Sequence, residues 1–167
     1  MAKKVEENVF AAVINDTAAS SNGASYSVSI ETHYNQFLGK KIGDVVEGHL
    51  IEVEGQRTLS GYKLKITGGS DKVGTPMRVD LDGGSRKSVL VTSGTGFKGT
   101  KIVNKKGNRY RYKYDGLRKR RNFRGNTITA DTRQLNLKVV ETGDKPLAFY
   151  FGGAQEMESD ASSSEEE

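Results

Sequence analysis

The chain of 167 residues has no cysteine, no tryptophan, two prolines and two histidines. The missing cysteine excludes thiol catalysis, disulfides and Cys-ligated zinc, and fits a reducing, intracellular setting. No hydrophobic run approaches the roughly 18 apolar residues of a membrane span. The start, Met-Ala-Lys-Lys-Val-Glu-Glu, has basic residues but no apolar stretch behind them, so no secretory signal is expected. The expectation is a soluble, cytoplasmic protein. Nucleophilic catalysis lacks parts: without cysteine and with two unsupported histidines, no activated nucleophile is visible.

Glycine, by contrast, is abundant at 20 residues, and the hydrophobic residues, 34% of the chain, fall in short runs. Asn8–Ile14 reads as a buried strand. Tyr26, Val28 and Ile30 alternate with Ser27, Ser29 and Glu31, the period of a half-buried strand. Tyr34–Leu38 reads as a helical turn ended by Gly39. Val45–Val53, Tyr62–Ile66, Ser88–Val91 and Leu135–Val139 read as further strands, and Gly68–Pro76 as a loop. Leu147–Phe151 is one more short strand or a docking segment. No amphipathic helix of ten residues or more stands out. The fold class is therefore mostly β: a small closed or partly open β-barrel of about six short strands, since open edges in so small a sheet are a liability. Residues 1–153 form the expected domain, with a basic extension over 98–124. Residues 154–167 form an acidic Ser/Glu tail, disordered by composition.

Charge is unevenly placed. Residues 1–97 carry eleven bases and eleven acids, and residues 125–153 three of each. Residues 98–124 carry twelve bases against one acid, Asp115, and residues 154–167 six acids and no base. The whole excess of positive charge, within a formal net charge of +5, thus lies in one segment. Twelve cations in so short a stretch repel one another unless a polyanion faces them. Half of them are Arg, suited to bidentate phosphate contacts. In Arg109–Tyr110–Arg111–Tyr112–Lys113–Tyr114 base and aromatic alternate, so a strand sets three cations on one face and three tyrosines on the other. Cations neutralise phosphates, and aromatic rings stack on unpaired bases. Arg118–Lys119–Arg120–Arg121 is denser than one face accommodates, and Gly107, Gly116 and Gly125 let the backbone bend. Nucleic acid is the favoured partner, RNA ahead of DNA, because no helix-turn-helix, zinc finger or basic zipper is visible. The candidate contacts are Lys105, Lys106, Arg109, Arg111, Lys113, Arg118, Lys119, Arg120, Arg121 and Arg124. Tyr110, Tyr112 and Tyr114 are the stacking candidates.

Two rival chemistries are weaker. Gly94–Thr95–Gly96–Phe97–Lys98–Gly99 matches the dinucleotide fingerprint literally, which would make the chain a nucleotide-dependent enzyme. The fingerprint needs its third glycine to open a helix facing the pyrophosphate, and residues 100–107 are too polar and short for one. The order Thr100–Lys101 also reverses the Lys-Ser/Thr of a P-loop. An anionic membrane surface is the other rival for the basic segment. His33 and His49 lack partners at ligand spacing, and Asp80 and Asp82, flanked by Arg78 and Arg86, read as a solvated turn. No metal or cofactor site is expected.

The runs Leu38-Gly-Lys-Lys-Ile-Gly-Asp-Val-Val-Glu-Gly48 and Gly61-Tyr-Lys-Leu-Lys-Ile-Thr-Gly-Gly-Ser-Asp-Lys72, followed by Gly74 and Pro76–Met77–Arg78, resemble the archaeal and eukaryotic small-subunit ribosomal protein S6e family. Arg118-Lys-Arg-Arg121, Arg124-Gly-Asn-Thr-Ile128 and Gln134-Leu-Asn-Leu-Lys-Val-Val140 continue the likeness in order, which spans about residues 8–143. The resemblance implies a barrel-like domain on small-subunit ribosomal RNA, beside neighbouring ribosomal proteins, as a monomer within the ribosome, with a structural and not an enzymatic role. It matches Arg118–Arg121 and Arg124 to the family's basic run and Arg86 and Lys87 to a basic pair after the Pro-Met loop. Residues 100–115 look longer than in archaeal members. The acidic end differs from the long basic helix with regulated serines of the eukaryotic proteins, so that regulation is not carried over; Ser162–Ser164 read as part of a solubilising tail.

Overall fold

The computed structural model describes residues 9–17, 23–53, 57–143 and 145–151. The chain is mostly β. The elements are β1 (Phe10–Asn15), β2 (Ser25–Ile30), α1 (Tyr34–Phe37), β3 (Val45–Glu47), β4 (Glu52–Val53), β5 (Arg57–Thr58), β6 (Lys63–Asp71), β7 (Arg86–Val91), β8 (Thr100–Lys105), β9 (Asn108–Lys113), β10 (Lys119–Arg124), β11 (Thr132–Glu141) and α2 (Leu147–Tyr150).

Five strands make the main sheet in the order β2-β1-β11-β6-β3, with β1 parallel to β11 and the other neighbours antiparallel. Alternation decides its buried face. Phe10, Ala12 and Ile14 of β1, Leu135 and Leu137 of β11, and Leu64 and Ile66 of β6 are all fully buried on one side. Phe37 of α1, Ile51, Leu59 and Ile128 close the core over them. The intervening Ser27, Ser29, Lys65 and Lys138 stay exposed. Two ribbons and a hairpin complete the molecule: β7 with β10, β4 with β5, and β8 with β9.

The expected barrel is corrected in its closed form. Among the described residues the main ladder is open, ending at β2 and β3. The strands are also more numerous than expected. Val45–Val53 is not one strand: a 3-10 turn over Gly48–Leu50 breaks it. The segment expected to be a loop from Gly68 instead prolongs β6 to Asp71, with a register shift where it passes β11. Glycine permits this, because a Cβ on Gly69 would lie 2.4 Å from the Gln134 carbonyl oxygen. Leu147–Phe151 is a helical turn, and its docking alternative holds: Leu147 enters the core and Phe151 stacks on Tyr26 at 4.6 Å. The segment 154–167 lies outside the described residues.

Candidate nucleic-acid interface

The basic segment folds as two separate β units. The first is the β8–β9 hairpin. Lys106 and Gly107 form its turn with φ of 48° and 79°, the left-handed pair that matches the twist of a two-residue hairpin. The register sets Ile102 opposite Arg111, Asn104 opposite Arg109 and Thr100 opposite Lys113. Cross-strand partners share a face, so Arg109, Arg111 and Lys113 stand together on one side. The expected split of cations from tyrosines is present. Every residue of β9 is exposed, and no residue of the hairpin joins either apolar cluster.

The second unit is the β7–β10 ribbon, which pairs Lys119 with Val91, Arg121 with Val89 and Phe123 with Lys87. The dense run is resolved by ordinary strand alternation. Lys119 and Arg121 share the face of Phe123, and Arg120 points the other way. Phe123 is fully buried with Val91 and Phe97 in a small cluster of its own. The Arg121 guanidinium lies over the Phe97 ring at 5.7 Å, and that of Arg78 over Phe123 at 5.1 Å. The two guanidiniums therefore cover the apolar patch by cation–π contact. Arg118, Lys119, Arg120 and Arg121 are all exposed, as is Lys87.

Arg124 is placed differently. Its side chain is buried, with Nη1 3.4 Å from Asp71 Oδ2 and Nη2 donating to Thr129 Oγ1 at 2.8 Å and Asp131 Oδ2 at 2.9 Å. Arg86 reaches the same Asp71 oxygen from the surface through its Nε. Asp71 Oδ1 accepts from the backbone N–H groups of Val73 and Thr75, both at 2.9 Å. Burial alone would raise the Asp71 carboxyl. The Thr75 amide, Arg86 and the Val73 amide together outweigh it and hold the carboxyl below its usual 3.8.

This clamp joins two distant stretches of sequence. Asp71 ends Ile66-Thr-Gly-Gly-Ser-Asp71, and Arg124 begins Arg-Gly-Asn-Thr-Ile128. The rest of the second stretch crosses between the ribbon and the core. A Cβ on Gly125 would lie 1.8 Å from the Gly83 carbonyl oxygen, so no other residue fits without displacing backbone. Asn126 donates from its side chain to the Val79 carbonyl at 3.3 Å and to Asp82 Oδ1 at 3.1 Å. Ile128 is buried in the main core. Residues that read as RNA contacts and turn formers thus orient the cationic ribbon against the sheet. Asp71 is the one that reading the sequence missed. Its signal was there: an Asp two and four residues ahead of Val73 and Thr75 in a Gly-rich turn, the usual seat of a side chain that accepts local backbone N–H groups.

The weaker sites are also placed. Gly94 and Phe97 bridge a tight turn, Phe97 enters the ribbon's cluster, and the chain runs from Gly99 into β8 rather than into a helix. The helix N-terminus that a dinucleotide needs is therefore missing here. Asp80 is held by Arg78 through two hydrogen bonds, at 2.7 and 2.6 Å, and lies apart in role from Asp82. Each histidine meets one carboxylate, His33 with Glu52 at 3.5 Å and His49 with Glu47 at 3.0 Å. No group of three metal-ligating side chains occurs among the described residues. No helix among them is long and apolar enough to cross a membrane.

Comparison with known proteins agrees with these motifs. A family model described as ribosomal protein S6e matches residues 12–152. The small ribosomal subunit protein eS6 of Methanococcus maripaludis (strain C5) is 44% identical over 138 residues, covering 83% of this chain and 92% of the relative. Those of Methanosphaera stadtmanae and Methanothermobacter thermautotrophicus (strain Delta H) are 45% and 43% identical, each over 71% of this chain and over 76% and 79% of the relative. A match of that extent includes both the stretch that ends at Asp71 and the one that begins at Arg124, and the chain belongs to the ribosomal protein S6e family.

Proposed function

We propose that the chain is a structural constituent of the small ribosomal subunit that anchors ribosomal RNA electrostatically. Membership of a ribosomal family supports the setting, and one observation carries the mechanism: Arg118, Lys119, Arg120 and Arg121 lie exposed on a ribbon whose orientation is held by a buried ion pair. Cations on a rigid frame meet phosphates with little ordering cost, which is what an anchoring role needs. Lys87 lies opposite Phe123 on the same ribbon and extends the strip. Lys105, Lys106, Arg109, Arg111 and Lys113 of the hairpin form a second cationic surface. Arg124 and Arg86 take the part of positioning residues, since the guanidinium of one is buried and the Nε of the other is engaged by Asp71.

On this reading, residues 1–153 act as one RNA-binding domain and 154–167 as an acidic appendage. A single copy sits in the cytoplasmic ribosome beside neighbouring ribosomal proteins, with no catalytic step and no cofactor. Each phosphate contact adds about 0.7 to 0.9 to the slope of log affinity against log salt, the single- and double-stranded limits. Replacing Arg118, Lys119, Arg120 and Arg121 with Ser is expected to weaken binding to small-subunit RNA and lower that slope by roughly 3. The intact protein is expected to co-sediment with small ribosomal subunits. An unchanged slope removes the anchor, and failure to co-sediment removes the setting.

A further inference from the structure

The β8–β9 hairpin has a second face that electrostatic anchoring does not use. Tyr110 lies opposite Val103, and Tyr112 opposite Lys101. Adding Lys105, which pairs with Asn108, this face carries two cations, and no acid occurs anywhere in the hairpin. The three tyrosines form a ladder. Tyr110 and Tyr112 have ring centroids 6.3 Å apart at 28°, and Tyr112 and Tyr114 6.2 Å apart at 30°. Their exposures are 43%, 36% and 54%. None joins an apolar cluster, and among the described residues their rings stack only on one another.

Flat aromatic surfaces flanked by cations ask for a partner with π-faces and negative charge together. An apolar protein surface satisfies the rings but leaves Lys101 and Lys105 uncompensated. A duplex satisfies the lysines but hides its base faces within its own stack. An unpaired strand offers both. The ring spacing is close to twice the roughly 3.4 Å rise per stacked nucleotide, so an unstacked strand can set successive bases on successive rings.

We infer that this face binds a short run of unpaired RNA nucleotides, with bases stacked on Tyr110, Tyr112 and Tyr114 and phosphates near Lys101 and Lys105. This rests on the RNA-binding reading above and adds the class of RNA and the surface that takes it. The hairpin is then two-sided. Its cation face, with the ribbon, meets backbone of any kind, and its tyrosine face selects single strand.

The absence of tryptophan makes the test direct, because the emission of the intact protein comes from its seven tyrosines. Two of them, Tyr34 and Tyr62, are buried. The protein is titrated with an unstructured pyrimidine RNA oligonucleotide and with a blunt RNA duplex of equal charge. The expected result is strong quenching by the single strand and little by the duplex. Replacing all three tyrosines (Tyr110→Ala, Tyr112→Ala, Tyr114→Ala) is expected to weaken single-strand binding by about fivefold or more per stacked base. Duplex binding and the salt slope should stay unchanged. The matching triple Phe variant, which keeps the ring and loses the hydroxyl, is expected to bind within about twofold of the parent. Equal quenching by both RNAs, or loss of affinity in the Phe variant, overturns the inference. If the Ala variant binds like the parent while Ser at Arg118–Arg121 flattens the slope, the ladder fails and the anchor stands. The reverse pattern sinks the anchor alone.

Discussion

Asp71 is the residue on which the most depends. Its side chain is fully buried, it faces two guanidiniums, and it opens a turn by accepting two backbone N–H groups. Asp71→Asn keeps the shape and one acceptor oxygen but removes the charge opposite Arg124, whose side chain is 6% exposed. Breaking a buried pair from one side costs about 3–5 kcal/mol. The low end applies here because Arg124 keeps Asp131 and Thr129, so urea unfolding should show a loss of about 3 kcal/mol. The same group predicts an acid limb. Its folded carboxyl titrates below the ordinary 3.8, so an unfolded chain binds the proton first as pH falls. The contribution is complete above 3.8 and is lost as pH drops through the lowered folded value. Unfolding midpoints of the parent should fall over that window, while those of Asp71→Asn stay flatter. Parallel curves would mean that the clamp carries no linkage.

At the scale of elements, the hairpin and the ribbon differ in what supports them. The ribbon has its own apolar cluster and a clamp, whereas the hairpin has only its ladder, its turn and its backbone bonds. A lone two-stranded hairpin is marginal in water. Replacing residues 101–113 with a short Gly/Ser link should therefore leave the melting temperature within about 2 °C, because little buried surface is lost. Binding to unpaired RNA should drop sharply. A large fall in melting temperature would show that the hairpin belongs to the core. The strands were legible where alternation was simple, as in Tyr26–Ile30, Arg109–Tyr114 and Leu135–Val139. They were not legible where glycine usually signals a turn. Gly68 and Gly69 lie within β6, and at Gly69 the strand passes the β11 backbone too closely for a side chain. The run Arg118–Arg121 hid a strand because its charge masked the period-two pattern that Phe123 completes. Arg124 read as one more cation of that run. Only the fold brings Asp71 and Asp131 to it, over a separation of 53 residues in the first case.

For the whole molecule, charge segregation has a thermodynamic consequence that no single contact shows. Residues 98–124 hold a net excess of eleven bases, and residues 154–167 hold six acids on the same chain. A tethered polyanion meets its own cations at an effective concentration that reaches millimolar for short flexible links. If residues 154–167 pair with the basic segment in this way, they compete with stray RNA for the same cations. Removing residues 154–167 takes the formal charge from +5 to +11 and should raise affinity for non-ribosomal RNA at low salt several-fold. General repulsion by six acids predicts part of that gain, but it acts at a distance. Its reach follows the Debye length, about 30 Å at about 0.01 M salt and about 8 Å at physiological ionic strength, so it fades as salt rises. Direct competition makes a further prediction, because salt weakens the internal carboxylate pairing that RNA must displace and so offsets part of the salt dependence of RNA binding. The truncated protein should therefore show a steeper decline of log affinity with log salt than the full chain. Parallel salt plots would reduce the acidic segment to a contribution to net charge. A steeper plot, abolished when the six acids are restored in trans as a free peptide at high concentration, would make it a competitor for the surface that ribosomal RNA is proposed to take.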